Sequence, residues 1–80
     1  MHVRVFVPPK KGVLDPQGKA MEHSLQTLGF AEVREVRLGK YIEVALDGLD
    51  HEQAKQRVDA MCRKLLANLV IEDYRFELEE

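Results

Sequence analysis

The sequence predicts a small two-layer α+β sandwich, an antiparallel sheet carrying two helices on one face. Three observations predict it. Apolar residues fall at every second position near the start, in the middle and near the end of the chain; two stretches of helical spacing lie between them; and each helical stretch opens on a capping signal. The order is strand, helix, strand, strand, helix, strand.

In His2-Val3-Arg4-Val5-Phe6-Val7 the three valines share one face, while His2, Arg4 and Phe6 share the other. Pro8 and Pro9 lack amide donors and end this strand, and Lys10-Lys11-Gly12 makes an exposed loop tip. A helix then starts: Asp15 caps the free amides and Pro16 takes the first helical position, where no amide bond is lost. Met21, Leu25 and Leu28 follow at i, i+4 and i+7, the stripe expected to pack on the sheet. Gly29 stops the helix, with Phe30 folding back on Leu25 in a Schellman closure, so the helix is predicted over residues 16–28. Gly18 stands out inside it, because glycine there costs up to ~1 kcal/mol relative to alanine. Either it is a tolerated first-turn residue or another backbone approaches closely.

In the central stretch, residues 35–46, Val36, Leu38, Ile42, Val44 and Leu46 all fall on even positions, and only Lys40 interrupts them. A two-residue turn at Gly39-Lys40 would throw the two halves of that pattern onto opposite faces. Two arrangements keep it: a hairpin with a three-residue loop, pairing Leu38 with Ile42 and Val36 with Val44, or one long strand bent at Gly39. The hairpin is the expected form. Asp47-Gly48 then turns the chain, and Asp50 with Gln53 forms a capping box. Ala54, Val58, Met61, Leu65 and Leu69 keep helical spacing, Cys62 and Leu66 widen the stripe, and Asp59 pairs with Arg63 on the exposed side. This helix is expected to end near Ala67, with Asn68 as a left-handed cap. Tyr74, Phe76 and Leu78 alternate with charged residues in a last strand. The result is a single domain over residues 1–80 with the βαββαβ order of ferredoxin-like folds. Its helix-free face would carry Arg4, Phe6, Arg37, Tyr41, Glu43, Ala45, Arg75 and Glu77, a surface suited to a subunit interface.

Composition narrows the function. Eighty residues bury only about 60–65% of their unfolded surface. The lone Cys62 cannot form an internal disulfide, so self-association is the remaining common support for so small a core. A net charge of −2 gives no field to draw nucleic acid or an anionic membrane. No apolar run is long enough to span a bilayer, and Met1-His2-Val3-Arg4 opens into a strand rather than a signal peptide, so the cytoplasm is the expected location. Chemistry is hard to find: Cys62 lies within an apolar stripe, and His2, His23 and His51 sit on different elements without metal-ligand spacing. The five glycines spell no phosphate-binding loop. What remains is a domain whose work is contact with protein.

Three segments carry a family resemblance: Gly12-Val13-Leu14-Asp15-Pro16-Gln17-Gly18-Lys19-Ala20, then Val36-Arg37-Leu38-Gly39-Lys40-Tyr41-Ile42-Glu43, and last Lys64-Leu65-Leu66-Ala67-Asn68-Leu69-Val70-Ile71-Glu72-Asp73-Tyr74. Together they resemble the PurS family, the small subunit of phosphoribosylformylglycinamidine (FGAM) synthase. The sequence departs from the family pattern at Leu69, where the family often has proline or threonine. The resemblance implies a non-catalytic subunit, dimeric or tetrameric, that bridges a large synthetase subunit of PurL type and a glutaminase subunit of PurQ type in de novo purine synthesis. It also implies that the ATP and magnesium used by such a complex are bound elsewhere, with no cofactor on this chain. Asp15, Gly18, Arg37, Lys40 and Tyr41, from the family-like segments, are the candidate contacts with like or unlike subunits. A metabolite-sensing domain of the same topology is the rival reading, and a small enzyme formed at a dimer cleft is a third.

Overall fold

A computed structural model describes residues 1–79 of the chain. Its elements are β1 (His2–Val7), α1 (Pro16–Thr27), β2 (Lys40–Ala45), α2 (His51–Met61), which continues as a π-helical turn (Cys62–Leu66), and β3 (Arg75–Glu79). The strands form an antiparallel sheet in the order β2-β1-β3. This is the α+β, ferredoxin-like class expected, with three strands in place of the four that the alternation predicts.

The centre of the fold is β1, because it is the strand with a neighbour on each side. Val3 faces Val44 and Leu78, and Val5 faces Ile42 and Phe76. All three valines are fully buried, and with Val58 and Cys62 of the second helix they make the core. Half-buried Ile42, Val44, Leu46, Leu66, Tyr74, Phe76 and Leu78 pack around it. The inward-facing residues of β1, β2 and β3 are those the alternation selected.

Helix α2 begins on the capping box: the Asp50 carboxylate accepts from the Gln53 amide at 2.8 Å, and the Gln53 side chain accepts from the Asp50 amide at 3.1 Å. At its other end the Ala67 amide donates to the Cys62 carbonyl at 3.0 Å, a wider turn than an α-helix makes, and Ala67 then takes an extended backbone. Asn68 is therefore not the left-handed cap expected: among the described residues only glycines have positive φ. Its side chain instead accepts from the Val70 amide at 3.1 Å, and its carbonyl accepts from Ile71 and Glu72. An Asx turn satisfies the backbone without a strained φ.

Two expectations about the middle of the chain are overturned. The hairpin is absent: residues 33–38 form no strand, and the chain continues through Gly39 into β2, which pairs with β1 instead. Gly39 serves a close approach rather than a turn: a Cβ there would lie 2.7 Å from the Val7 carbonyl oxygen and 3.0 Å from the Pro8 Cα. Arg37 consequently lies off the sheet, while Arg4, Phe6, Tyr41, Glu43, Ala45, Arg75 and Glu77 do share its outer face. The second correction concerns α1. Its Schellman closure forms as expected, with Phe30 donating to Leu25 at 3.0 Å and Gly29 to Gln26 at 3.1 Å. Its apolar stripe does not reach the sheet: Met21 is 46% and Leu28 74% exposed, and no α1 residue belongs to the core.

The protomer is elongated, 49 × 25 × 14 Å, with a radius of gyration of 16.0 Å, where a compact chain of this length has about 12 Å. Its accessible surface is 6100 Å², against about 4,900 Å² for a globular monomer of this mass. The most exposed large apolar residues are Leu14, Leu28, Leu65 and Val70.

Candidate functional site

Asp15, Gly18 and Arg37 come together as a latch between α1 and residues 36–38. One Asp15 carboxylate oxygen accepts from the Gly18 amide at 2.9 Å, the helix cap. The other accepts from the Leu38 amide at 2.8 Å, a bond the sequence did not announce. The Leu38 and Gly18 amides, aided by the Arg37 guanidinium, hold the Asp15 carboxyl below the usual aspartate range. Gly18 is buried, and a Cβ on it would meet Asp15 at 2.4 Å and the Val36 carbonyl at 2.5 Å. The close approach, not the tolerated turn, explains this glycine. Arg37 donates to the Pro9 carbonyl, tying the segment to the loop after β1.

Lys40 and Tyr41 lie apart from the latch and from each other's partners. The Lys40 ammonium donates to the Leu66 carbonyl at 3.0 Å and lies 3.4 Å from the Glu72 carboxylate, joining the start of β2 to the end of α2. Tyr41 packs on Phe6 with ring centroids 5.3 Å apart, and the Arg75 guanidinium sits 4.0 Å above the Phe6 ring. Burial against that face, then the Glu43 carboxylate, pushes the Tyr41 hydroxyl up. Beside them Arg4 pairs with Glu79 at 2.5 Å. The outer sheet face thus answers most of its own charges.

The opposite layer is less complete. A groove of about 620 Å³ opens between β2 and α2, lined mainly by Val44, Leu49, Ala60, Met61, Leu65 and Leu66, and Leu65 is 81% exposed. Reactive groups are scattered or occupied. Cys62 is buried in the core, its thiol pushed up by burial and then by Asp59. Asp59 is engaged by Tyr74 and Arg63, which lower its pKa in that order. Among the described residues no group of three or more His, Cys, Asp or Glu could hold a metal ion, and no helix is long and apolar enough to cross a membrane. At the α1 N-terminus the Gly18 amide is taken by the Asp15 carboxylate.

Fold and surface define a small ferredoxin-like domain with a free strand edge, an unpartnered helix and an apolar groove. Residues 2–80 match the family model PurS, described as phosphoribosylformylglycinamidine (FGAM) synthase. The PurS subunit of Bacillus subtilis strain 168 is 50% identical over 78 residues, covering 98% of this chain and 92% of the relative. A solved structure of B. subtilis PurS superimposes with a TM-score of 0.89 at 49% identity, covering 99% of this chain and 98% of that one. A chain of the structure titled PurLQS from Thermotoga maritima superimposes with a TM-score of 0.87 at 30% identity, covering 95% and 93%. The chain belongs to the PurS family and is the PurS-type subunit of FGAM synthase.

Proposed function

We propose that this chain is the non-catalytic bracket of the FGAM synthase complex, acting in the cytoplasm, associating with itself and joining a PurQ-type glutaminase to a PurL-type synthetase. The complex converts formylglycinamide ribonucleotide, ATP, glutamine and water into formylglycinamidine ribonucleotide, ADP, phosphate and glutamate. Ammonia released at one subunit must reach the activated amide at another before it escapes, so holding the two in register is the work left to a subunit without reactive groups. The likeness to a chain of the Thermotoga PurLQS structure carries this reading. The unfinished surface supports it: the chain exposes about 1,200 Å² more than a globular monomer, above the roughly 800 Å² that one partner-sized patch covers. ATP and magnesium act on the large subunit and none on this chain. The latch of Asp15, Gly18 and Arg37 shapes the arm offered to other subunits, while Lys40 and Tyr41 brace β2 beside it.

Reconstitution with purified PurL-type and PurQ-type subunits tests the proposal. Glutamine-dependent FGAM formation is expected to require this chain, and supplied ammonia to bypass the requirement. Arg37→Ala and Tyr41→Ala should lower the glutamine-dependent rate while leaving the ammonia-dependent rate intact. Full glutamine-dependent turnover without the chain, or turnover of substrate by the chain alone, would overturn it.

A further inference from the structure

We infer that Leu69-Val70-Ile71, on the turn between the second helix and β3, is a docking plug that fills an apolar socket edged with carboxylates on an unlike subunit. It rests on the bracket role proposed above, which supplies unlike partners, and adds the surface that meets one of them. Three observations carry it.

The first is an apolar run where the fold has no use for one. Val70 is 81% exposed, Leu69 and Ile71 are exposed as well, and none of the three belongs to the core. A tight turn is ordinarily built from polar residues and glycine, and adjacent apolar side chains in solvent invite aggregation. A run of this kind is a contact surface. Its residues belong neither to β2 nor to α1.

The second is rigidity. The Asn68 side chain accepts from the Val70 amide at 3.1 Å, and its carbonyl accepts from Ile71 at 3.0 Å and from Glu72 at 2.7 Å. The Glu72 carboxylate accepts in turn from the Asn68 amide at 2.7 Å, and the Lys40 ammonium lies 3.4 Å from it. On the other side the Ile71 carbonyl accepts from the Lys10 amide at 2.9 Å, and the Pro8 carbonyl from the Asp73 amide at 3.0 Å. The backbone is therefore fixed before a partner arrives, and little ordering entropy opposes docking. Because the Val70 and Ile71 amides and the Ile71 carbonyl are already engaged, a partner strand cannot add to this turn. Only the side chains are on offer, and a convex turn needs a concave partner.

The third is charge. The bond from Lys10 to Ile71 lays the loop tip Lys10-Lys11-Gly12 against the turn. Neither lysine has an ion pair among the described residues. Of the carboxylates beside them, Glu72 is taken up by Lys40 and the Asn68 amide, which leaves the exposed Asp73. Two ammoniums against one carboxylate complement a socket whose edge is acidic.

The test is a titration of the full chain into purified PurL-type and PurQ-type subunits, read as the chain concentration giving half-maximal glutamine-dependent FGAM formation. Val70→Asp puts a charge at the centre of the plug, at an exposed position where folding is not at stake, and should raise that concentration at least about tenfold. Val70→Thr, of nearly the same shape, should raise it less. Lys10→Glu with Lys11→Glu should raise it several-fold and weaken its dependence on salt. Asn68→Ala keeps every apolar side chain but loosens the turn, and should raise it too. The ammonia-dependent rate and the sedimentation of the chain alone should match the wild type in every variant. An unchanged half-maximal concentration for Val70→Asp overturns the plug and leaves the bracket standing. A chain that glutamine-dependent turnover does not need overturns the bracket itself. A Val70→Asp chain that sediments as a smaller species than the wild type also overturns the plug, because the turn then faces a second copy.

Discussion

Val58 in α2 and Leu25 in α1 hold equivalent places in the apolar stripes of their helices, yet Val58 is fully buried and Leu25 is half open to solvent. The difference lies in the path the chain takes on leaving each helix. After α2, the Asn68 turn brings the chain back so that β3 pairs beside β1 and closes the core. After α1, residues 33–38 form no strand and Gly39 feeds them straight into β2. One half of the molecule is finished within the chain and the other is an arm. Periodicity states which face of an element is apolar; it does not say which copy of the chain covers it.

The comparison can be broken at several points. Val58→Ala removes a buried side chain from the finished half and should cost about 2–3 kcal/mol in urea unfolding. Leu28→Ala in the arm should cost far less in the fold of the protomer and instead raise the concentration the protein needs to stay associated. Next come the glycines. Gly18→Ala and Gly39→Ala each force a Cβ into backbone or carboxylate and should destabilise by about 1–3 kcal/mol, read from the thermal midpoint. An unchanged midpoint for Gly39→Ala would mean that the chain can bend there after all.

Asp15 gives a smaller, pH-dependent effect. Its folded pKa lies below the unfolded value near 3.8, so its contribution is fully present above that value and is lost as the pH falls through the lower, folded pKa. Exchange of the Leu38 amide should accelerate across that acid window in the wild type. In Asp15→Asn it should be faster at neutral pH already and less sensitive to acid. The smallest effect belongs to Lys40→Met, which loses a half-exposed ion pair to Glu72 and should cost no more than about 1 kcal/mol, with part of the loss erased by salt.

Much of this architecture was legible in the residues themselves. The valine alternation of β1, both N-terminal caps and the alternation of β3 are local signals, and local chemistry decided them. The middle of the chain was not legible, because the even-numbered pattern of residues 36–46 suits a hairpin and a continuous strand equally well. The choice is made by Val7 and Pro8 crowding Gly39, a contact across about thirty positions of sequence. Asp15 was readable as a cap, but its second bond to Leu38 depends on that same path. Asn68 was misjudged because its side chain can make a turn without a left-handed backbone. Of the five candidate contact residues, three meet at one latch and two do not, a grouping that spacing alone does not encode.

Amide exchange along residues 35–43 tests the central claim most directly. In the associated protein the odd-numbered amides of Glu35, Arg37, Tyr41 and Glu43 should be protected on the scale of the β1 valines, although a lone protomer leaves them facing solvent. Exchange of those amides as fast as in the Lys10-Lys11-Gly12 loop, at concentrations where the protein sediments as a dimer, would contradict the account.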